Sequence, residues 1–234
     1  MIDKKLIELY ADGLNLNEFE KDYGVEIDGY TFNPSIFKKN GANDYLEYSK
    51  ELIKRSENKP ISLEVFADDT DGMIKQAKIL NSLSHNIYVK IPISFTNGEY
   101  TLDVLKELNS QKIKLNITAI FTLEQIKKVL PILEKSNSIL SVFAGRIFDC
   151  GKDANKLMKE ICEIVNKESQ CKVLWASPRM SYDYINAINC GAKIITMQLS
   201  QIKKLQMFKK DLTEYSQDTV KQFYNDAKES GFKL

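Results

Sequence analysis

Short apolar runs alternate along this chain with amphipathic stretches of helix length. The strand-like runs are Leu6–Ala11, Glu26–Thr31, Ile61–Phe66, Ile87–Pro92, Ile113–Ile120, Ile139–Phe143, Lys172–Ala176 and Lys193–Thr196. Between them, apolar positions at helical spacing predict helices over 15–23, 42–57, 70–84, 98–109, 122–135, 152–167 and 180–189. The helix over 122–135 opens on a cap signal, Thr122 with Glu124 and Gln125 in its first turn. Strands that alternate with helices predict a parallel sheet with helical crossovers. Eight of them in 234 residues fit a (β/α)8 barrel better than an open sheet. One domain over 1–234 follows, with 198–234 as a helical tail. Phe208, Leu212, Tyr215, Val220, Phe223 and Tyr224 give that tail large apolar groups, which either cover its own barrel or grip a neighbouring subunit.

The fourth run, Ile87-Tyr88-Val89-Lys90-Ile91-Pro92, is apolar except for one lysine. Ile87, Val89 and Ile91 share one face of the strand, Tyr88 and Lys90 the other. An edge lysine that snorkels to solvent would satisfy this pattern. A lysine held in a dry pocket would instead be a nucleophile able to form a Schiff base with a carbonyl. Polar residues near the ends of other strands favour the second reading. Asp12 closes the first strand, and Asn33 follows the second. Glu64 lies on the third, Asn116 and Thr118 share a face of the fifth, and Ser141 lies on the sixth. Burying each of these alone would be costly, whereas one shared pocket at the carboxyl ends of the strands accommodates them all.

Composition narrows the chemistry. The net charge of +1 gives no reason to expect nucleic acid or an anionic membrane as partner. No run approaches a membrane span, and the N-terminus lacks a signal-peptide core. Cys150, Cys162, Cys171 and Cys190 form no CxxC pair and read as reduced thiols of a cytoplasmic protein. His85 is the only histidine, so neither a histidine-rich metal site nor a histidine-activated nucleophile is expected, and no metal or cofactor is called for. Proton transfer falls to carboxylates, lysine, tyrosine or water. Asp12 and Glu64 are the carboxylates among the candidates, hence the expected acid and base. Arg146 and Arg179 suit a phosphate. Ser177 before Pro178 predicts a helix N-cap, with free backbone N–H groups where that phosphate could dock. A phosphorylated carbonyl compound is the expected substrate.

Four motifs carry a family resemblance: Asn33-Pro34-Ser35, Val89-Lys90-Ile91-Pro92, Asn116-Ile117-Thr118 and Phe143-Ala144-Gly145-Arg146-Ile147. In order and spacing they resemble the transaldolase family from Asp12 to about Arg179. The resemblance implies a class I aldolase-type barrel with Lys90 as Schiff-base lysine and Asp12 as acid/base for carbon–carbon cleavage. It implies that Glu64 and Thr118 hold a water. It places Asn33, Asn116 and Ser141 on the hydroxyls of a dihydroxyacetone unit, and Arg146, Ser177 and Arg179 on the phosphate. The implied reaction moves that unit from a ketose phosphate such as sedoheptulose 7-phosphate or fructose 6-phosphate to an aldose phosphate, as in the pentose phosphate pathway. Small members of the family tend to form rings through a C-terminal helix, so a homo-oligomer is expected.

Within the family, fructose-6-phosphate aldolases typically carry glutamine and tyrosine at the places of Glu64 and Phe143. A tyrosine hydroxyl near the enamine carbon offers a proton route that Phe143 cannot, so transfer is the first expectation. Release of free dihydroxyacetone, or a non-catalytic sugar-phosphate-binding barrel, stands as the alternative. Phe32, Pro178 and Tyr10-Ala11-Asp12-Gly13 depart from the usual family pattern and leave the sugar pair open.

Overall fold

The computed structural model of this chain describes residues 6–19 and 21–233. Eight strands, β1 (Glu8–Asp12), β2 (Gly29–Thr31), β3 (Ile61–Glu64), β4 (Ile87–Pro92), β5 (Leu115–Ile120), β6 (Ile139–Val142), β7 (Lys172–Trp175) and β8 (Ile194–Met197), pair in parallel and close into a barrel in chain order. This is the (β/α)8 barrel that the alternation predicts. Major helices follow most of the strands: α2 (Tyr45–Arg55), α3 (Thr70–Leu83), α4 (Leu102–Ser110), α5 (Leu123–Leu133), α7 (Ala154–Glu168) and α8 (Asp183–Cys190). Their apolar stripes pack on outward strand residues such as Leu63, Val89, Ile91, Leu115 and Ile117, all fully buried. A smaller inner core (Tyr10, Ile139, Leu174, Ala176 and Ile194) fills the barrel axis. The cap signal at Thr122 holds, because Thr122 and Gln125 form a capping box at the start of α5.

Three differences from the predicted elements have local causes. The helix over 15–23 is only a 3-10 turn, Leu16–Glu18, built on a capping box between Asn15 and Glu18. Two short helices, α1 (Pro34–Lys39) and α6 (Ala144–Asp149), directly follow β2 and β6. Six residues are too few to display an amphipathic period, so the pattern hides them. The tail splits into α9 (Leu199–Lys204), a 3-10 turn (Leu205–Met207) and α10 (Leu212–Ser230). Ile202 and Leu205 pack into the core, whereas Leu212, Tyr215, Val220, Phe223 and Tyr224 are all exposed. Residues 1–5, Glu20 and Leu234, which the predicted domain, first helix and tail include, lie outside the described residues. Among the described residues no helix is long and apolar enough to cross a membrane.

Candidate active site

Strand register brings the polar positions together. Glu64 of β3 pairs with Lys90 of β4, which pairs with Asn116 of β5, so three inward side chains stand in one row. On the other side of the barrel, Asp12 of β1 pairs with Thr31 of β2. A cavity of about 380 Å³ opens at the carboxyl ends of the strands. Asp12, Asn33, Lys90, Thr118, Ser141, Phe143, Arg146, Ser177 and Arg179 all line it. Glu64 and Asn116 are not among its lining residues; they reach it through the side chains they bind.

Lys90 is only 7% exposed, which excludes the snorkelling reading. Its Nζ stands 2.9 Å from Glu64 Oε2 and donates to the Phe32 carbonyl at 3.2 Å. Glu64 thus contacts the lysine directly. Asp12 Oδ1 accepts from the Thr31 hydroxyl at 2.7 Å. With Thr31's proton engaged there, the Thr196 hydroxyl donates to Thr31 across 2.6 Å, giving a chain Thr196–Thr31–Asp12. Burial pushes the Asp12 carboxyl above its usual range, against the opposing pull of the Thr31 hydrogen bond and the Lys90 charge. A shift in this direction makes the carboxyl a better proton acceptor than an ordinary aspartate.

A second buried chain crosses the barrel. Ser141 Oγ donates to Asn116 Oδ1 at 2.7 Å, and Asn116 Nδ2 donates to Ser62 Oγ at 3.0 Å. Asn116 is fully buried, so its side chain fixes the Ser141 hydroxyl in the cavity wall. Thr118 precedes a bulge in β5 at which Ala119 has φ +59. That left-handed conformation costs a residue with a Cβ about 1–2 kcal/mol. Asn33 caps α1 by accepting from the Ile36 N–H at 3.0 Å, with Pro34 in the first turn.

The cationic wall comes from α6 and the loop after β7. The Arg146 guanidinium lies 5.1 Å from the Phe143 ring centroid, and Phe143 packs on Phe121 at 5.6 Å. Arg179 is held by both carboxylate oxygens of Asp149, with Nε–Oδ1 at 2.8 Å, and donates to Ser177 Oγ at 3.1 Å. The predicted cap at Ser177 is wrong. Ser177 has φ +58, and no helix starts at Pro178; α8 begins at Asp183. The Asp183 carboxylate accepts from the Arg179 and Met180 N–H groups at 2.7 and 3.2 Å, so those donors are not open to a phosphate. The cause is tertiary. A Cβ placed on Gly145 would sit 1.6 Å from the Ser177 carbonyl oxygen, so α6 presses its backbone against this loop and only glycine fits.

Sequence reading missed Thr31, Thr196, Lys39 and Gln198, which also line the cavity. Thr31 and Thr196 share the inward parity of their strands with Gly29 and Ile194, and that alternation was the available signal. Lys39 and Gln198 arrive from outside the strands and carry no such signal. Among the described residues no three or more His, Cys, Asp and Glu side chains form a metal-binding group.

Comparison with known proteins bears on the family and the fold. The family profile described as transaldolase/fructose-6-phosphate aldolase matches residues 9–234. A protein named "Probable transaldolase" from Thermoanaerobacter sp. (strain X514) is 30% identical over 230 residues, 97% of this chain and all of its own. Another of that name from Clostridioides difficile (strain 630) is 33% identical over 231 residues, with the same shares. Among solved structures, the thiamine phosphate pyrophosphorylase from Pyrococcus furiosus superposes with a TM-score of 0.58 at 9% identity, covering 86% of this chain and 94% of its own. At that identity the likeness speaks for the barrel alone.

Proposed function

This chain belongs to the transaldolase/fructose-6-phosphate aldolase family, and from that premise we propose that it is a transaldolase, moving a three-carbon dihydroxyacetone unit between sugar phosphates through a Schiff base on Lys90. The observation that carries this reading is the buried Lys90, within 2.9 Å of Glu64 on the wall of a polar cavity that Asp12 shares. Glu64 takes a proton from Lys90, and the free amine attacks the ketone carbon of the donor ketose. Glu64 returns that proton to the carbinolamine hydroxyl, which leaves as a water held by Glu64 and Thr118, and an iminium remains. Asp12 then accepts the proton of the donor's C4 hydroxyl as the C3–C4 bond breaks. The aldose phosphate departs with the new carbonyl, and the electron pair of the broken bond remains as an enamine on Lys90. The enamine carbon attacks the carbonyl of an acceptor aldose phosphate, and Asp12 returns its proton to the forming hydroxyl. Water hydrolyses the iminium and frees the product ketose.

Asn33 and Ser141 hold the hydroxyls of the three-carbon unit, Asn116 acting through the Ser141 hydroxyl it binds, and Arg146, Ser177 and Arg179 take the phosphate, with sedoheptulose 7-phosphate or fructose 6-phosphate as donor. Phe143 brings only a ring to the cavity wall, packed between Phe121 and Arg146. It offers no hydroxyl to protonate the enamine, which supports transfer over release of free dihydroxyacetone. The reading places the protein in the cytoplasm and in pentose phosphate metabolism. The exposed apolar stripe of α10 supports a homo-oligomer in which that helix packs on a neighbouring copy. Sedimentation velocity tests this: a monomer at micromolar concentration would defeat it.

Borohydride trapping with fructose 6-phosphate, followed by peptide mass spectrometry, tests the chemistry. The expected result is a three-carbon adduct on Lys90 that an acceptor aldose phosphate erases. Folded protein that gives no adduct on any lysine with several ketose phosphates would rule the catalytic reading out.

A further inference from the structure

Both main-chain polar groups of Glu64 end on one hydroxyl. Tyr45, the first residue of α2, donates its O–H to the Glu64 carbonyl at 2.7 Å and accepts from the Glu64 N–H at 3.2 Å. The second contact interrupts the β2–β3 ladder. Phe32 N–H donates to the Ser62 carbonyl at 3.0 Å, so the next parallel rung would carry Glu64 N–H to the Phe32 carbonyl. Tyr45 takes that N–H, and the Phe32 carbonyl accepts instead from Lys90 Nζ at 3.2 Å. One exchange of partners therefore holds the backbone of Glu64 and gives Lys90 a second oxygen besides the carboxylate.

The hydroxyl is itself held firmly. The Tyr45 ring stacks on Phe37 with centroids 4.2 Å apart and planes 16° apart, and Phe66 meets it edge-on at 5.3 Å. Phe37 in turn meets Phe32 edge-on at 6.0 Å, so the aromatic cluster fixes both the tyrosine and the carbonyl it releases. Burial pushes the Tyr45 phenol well above its ordinary range, which keeps its proton available for the Glu64 carbonyl.

We propose that Tyr45 is a positioning residue for Schiff-base formation: its hydroxyl replaces a rung of the β2–β3 ladder and thereby sets both the Glu64 carboxylate and the Phe32 carbonyl against Lys90 Nζ. This rests on the reading of Lys90 as the Schiff-base lysine. Tyr45→Phe keeps the ring stack and removes only the hydroxyl, so Glu64 N–H is free to return to the Phe32 carbonyl. The rate of borohydride-trappable adduct formation with fructose 6-phosphate should fall on the order of tenfold to a hundredfold, as for a small misplacement of reacting groups. KM for the same ketose phosphate should stay within about twofold, because the cavity wall is untouched. A purely structural role would lower the thermal midpoint and leave the rate per folded molecule unchanged, and that outcome overturns the proposal.

Phe37→Leu provides an independent arm, since it removes the stacking partner and leaves the hydroxyl in place. It should slow trapping by a smaller factor with KM again unmoved. If Tyr45→Phe does not fold, the Phe37→Leu rate decides alone, and an unchanged rate overturns the proposal. The wild-type control separates the two levels. No adduct on the wild type would overturn the Schiff-base reading and this role with it; a wild-type adduct formed at equal rate by the variants overturns only the role of Tyr45.

Discussion

The barrel carries a lysine–glutamate pair at each end, and the two could hardly be less alike. At the amino ends of the strands, Lys172 Nζ meets Glu8 Oε1 at 2.5 Å, with 43% and 32% of the two side chains exposed. At the carboxyl ends, Lys90 meets Glu64 at 2.9 Å, with 9% and 19% exposed. Water screens the first pair, which therefore contributes roughly 0–1 kcal/mol. The second has lost most of its water, so its attraction is strong and its desolvation cost is large too. The surroundings differ in kind as well. The Tyr10 hydroxyl donates to Glu8 at 3.3 Å, and Lys114 rests 5.8 Å from the Tyr88 ring, both ways of closing the floor. Around Lys90 the neighbours are a carbonyl oxygen, a carboxylate and an open cavity. The same two residue types meet at both ends of the barrel, and a cleft borders Glu8 and Lys172 too; what sets the carboxyl-end pair apart is its burial and the polar side chains that share its cavity.

Substituting the two lysines breaks the comparison most directly. Lys90→Met should abolish the trapped adduct and lower turnover on the order of 10⁴-fold or more, as loss of a covalent nucleophile does. Lys172→Met should leave turnover essentially at the wild-type level, and a comparable loss there would refute the distinction. Steady-state assays beside circular dichroism measure both.

Next in size is Asp12→Asn, which should slow turnover about 10²–10⁴-fold while stabilising the fold above acidic pH. The native Asp12 carboxyl titrates above its ordinary 3.8, so the unfolded chain gives up that proton first. Stability from this group is therefore greatest at low pH and falls as pH rises from the unfolded to the native value. The asparagine variant escapes that loss. Its advantage in urea melts should be absent at low pH, grow through the window between the two values and stay constant beyond it; a flat difference across pH would exclude the burial effect.

Arg179→Lys follows. Lysine cannot reproduce the two-pronged contact with Asp149, so KM for a phosphorylated donor should rise about tenfold, or about 1.4 kcal/mol. Lys114→Met at the floor should leave that KM alone. The smallest effect separates the pairs themselves. A double-mutant cycle on Glu8 and Lys172 should give a coupling of about 0.2–1 kcal/mol that fades in 1 M salt. The cycle on Glu64 and Lys90 should give a larger coupling that salt barely alters.

The upper end was largely legible in the sequence because strand alternation is a local code. Lys90 falls between Val89 and Ile91, and Asn116 between Leu115 and Ile117, so the inward face names itself. Thr31 and Thr196 obey the same alternation but sit in strands of three and four residues, too short for the pattern to stand out. Ser177-Pro178 has the local chemistry of a helix start, yet Gly145 presses on the Ser177 carbonyl and Asp183 binds the following N–H groups. No reading of neighbouring residues contains that contact. Tyr45 was invisible for a similar reason, since the residue it holds lies nineteen positions away.

The packing of Gly145 on Ser177 also bears on how this enzyme can change. With a prospective Cβ only 1.6 Å from a backbone oxygen, α6 and the loop after β7 are pressed into one part that carries both Arg146 and Arg179. With both arginines on the phosphate as proposed, no substitution at position 145 would shift one of them alone, because it would displace the Ser177 backbone as well. New substrate lengths are more readily reached from the opposite rim, where Ser35 and Lys39 of α1 and Gln198 at the start of α9 border the same cavity.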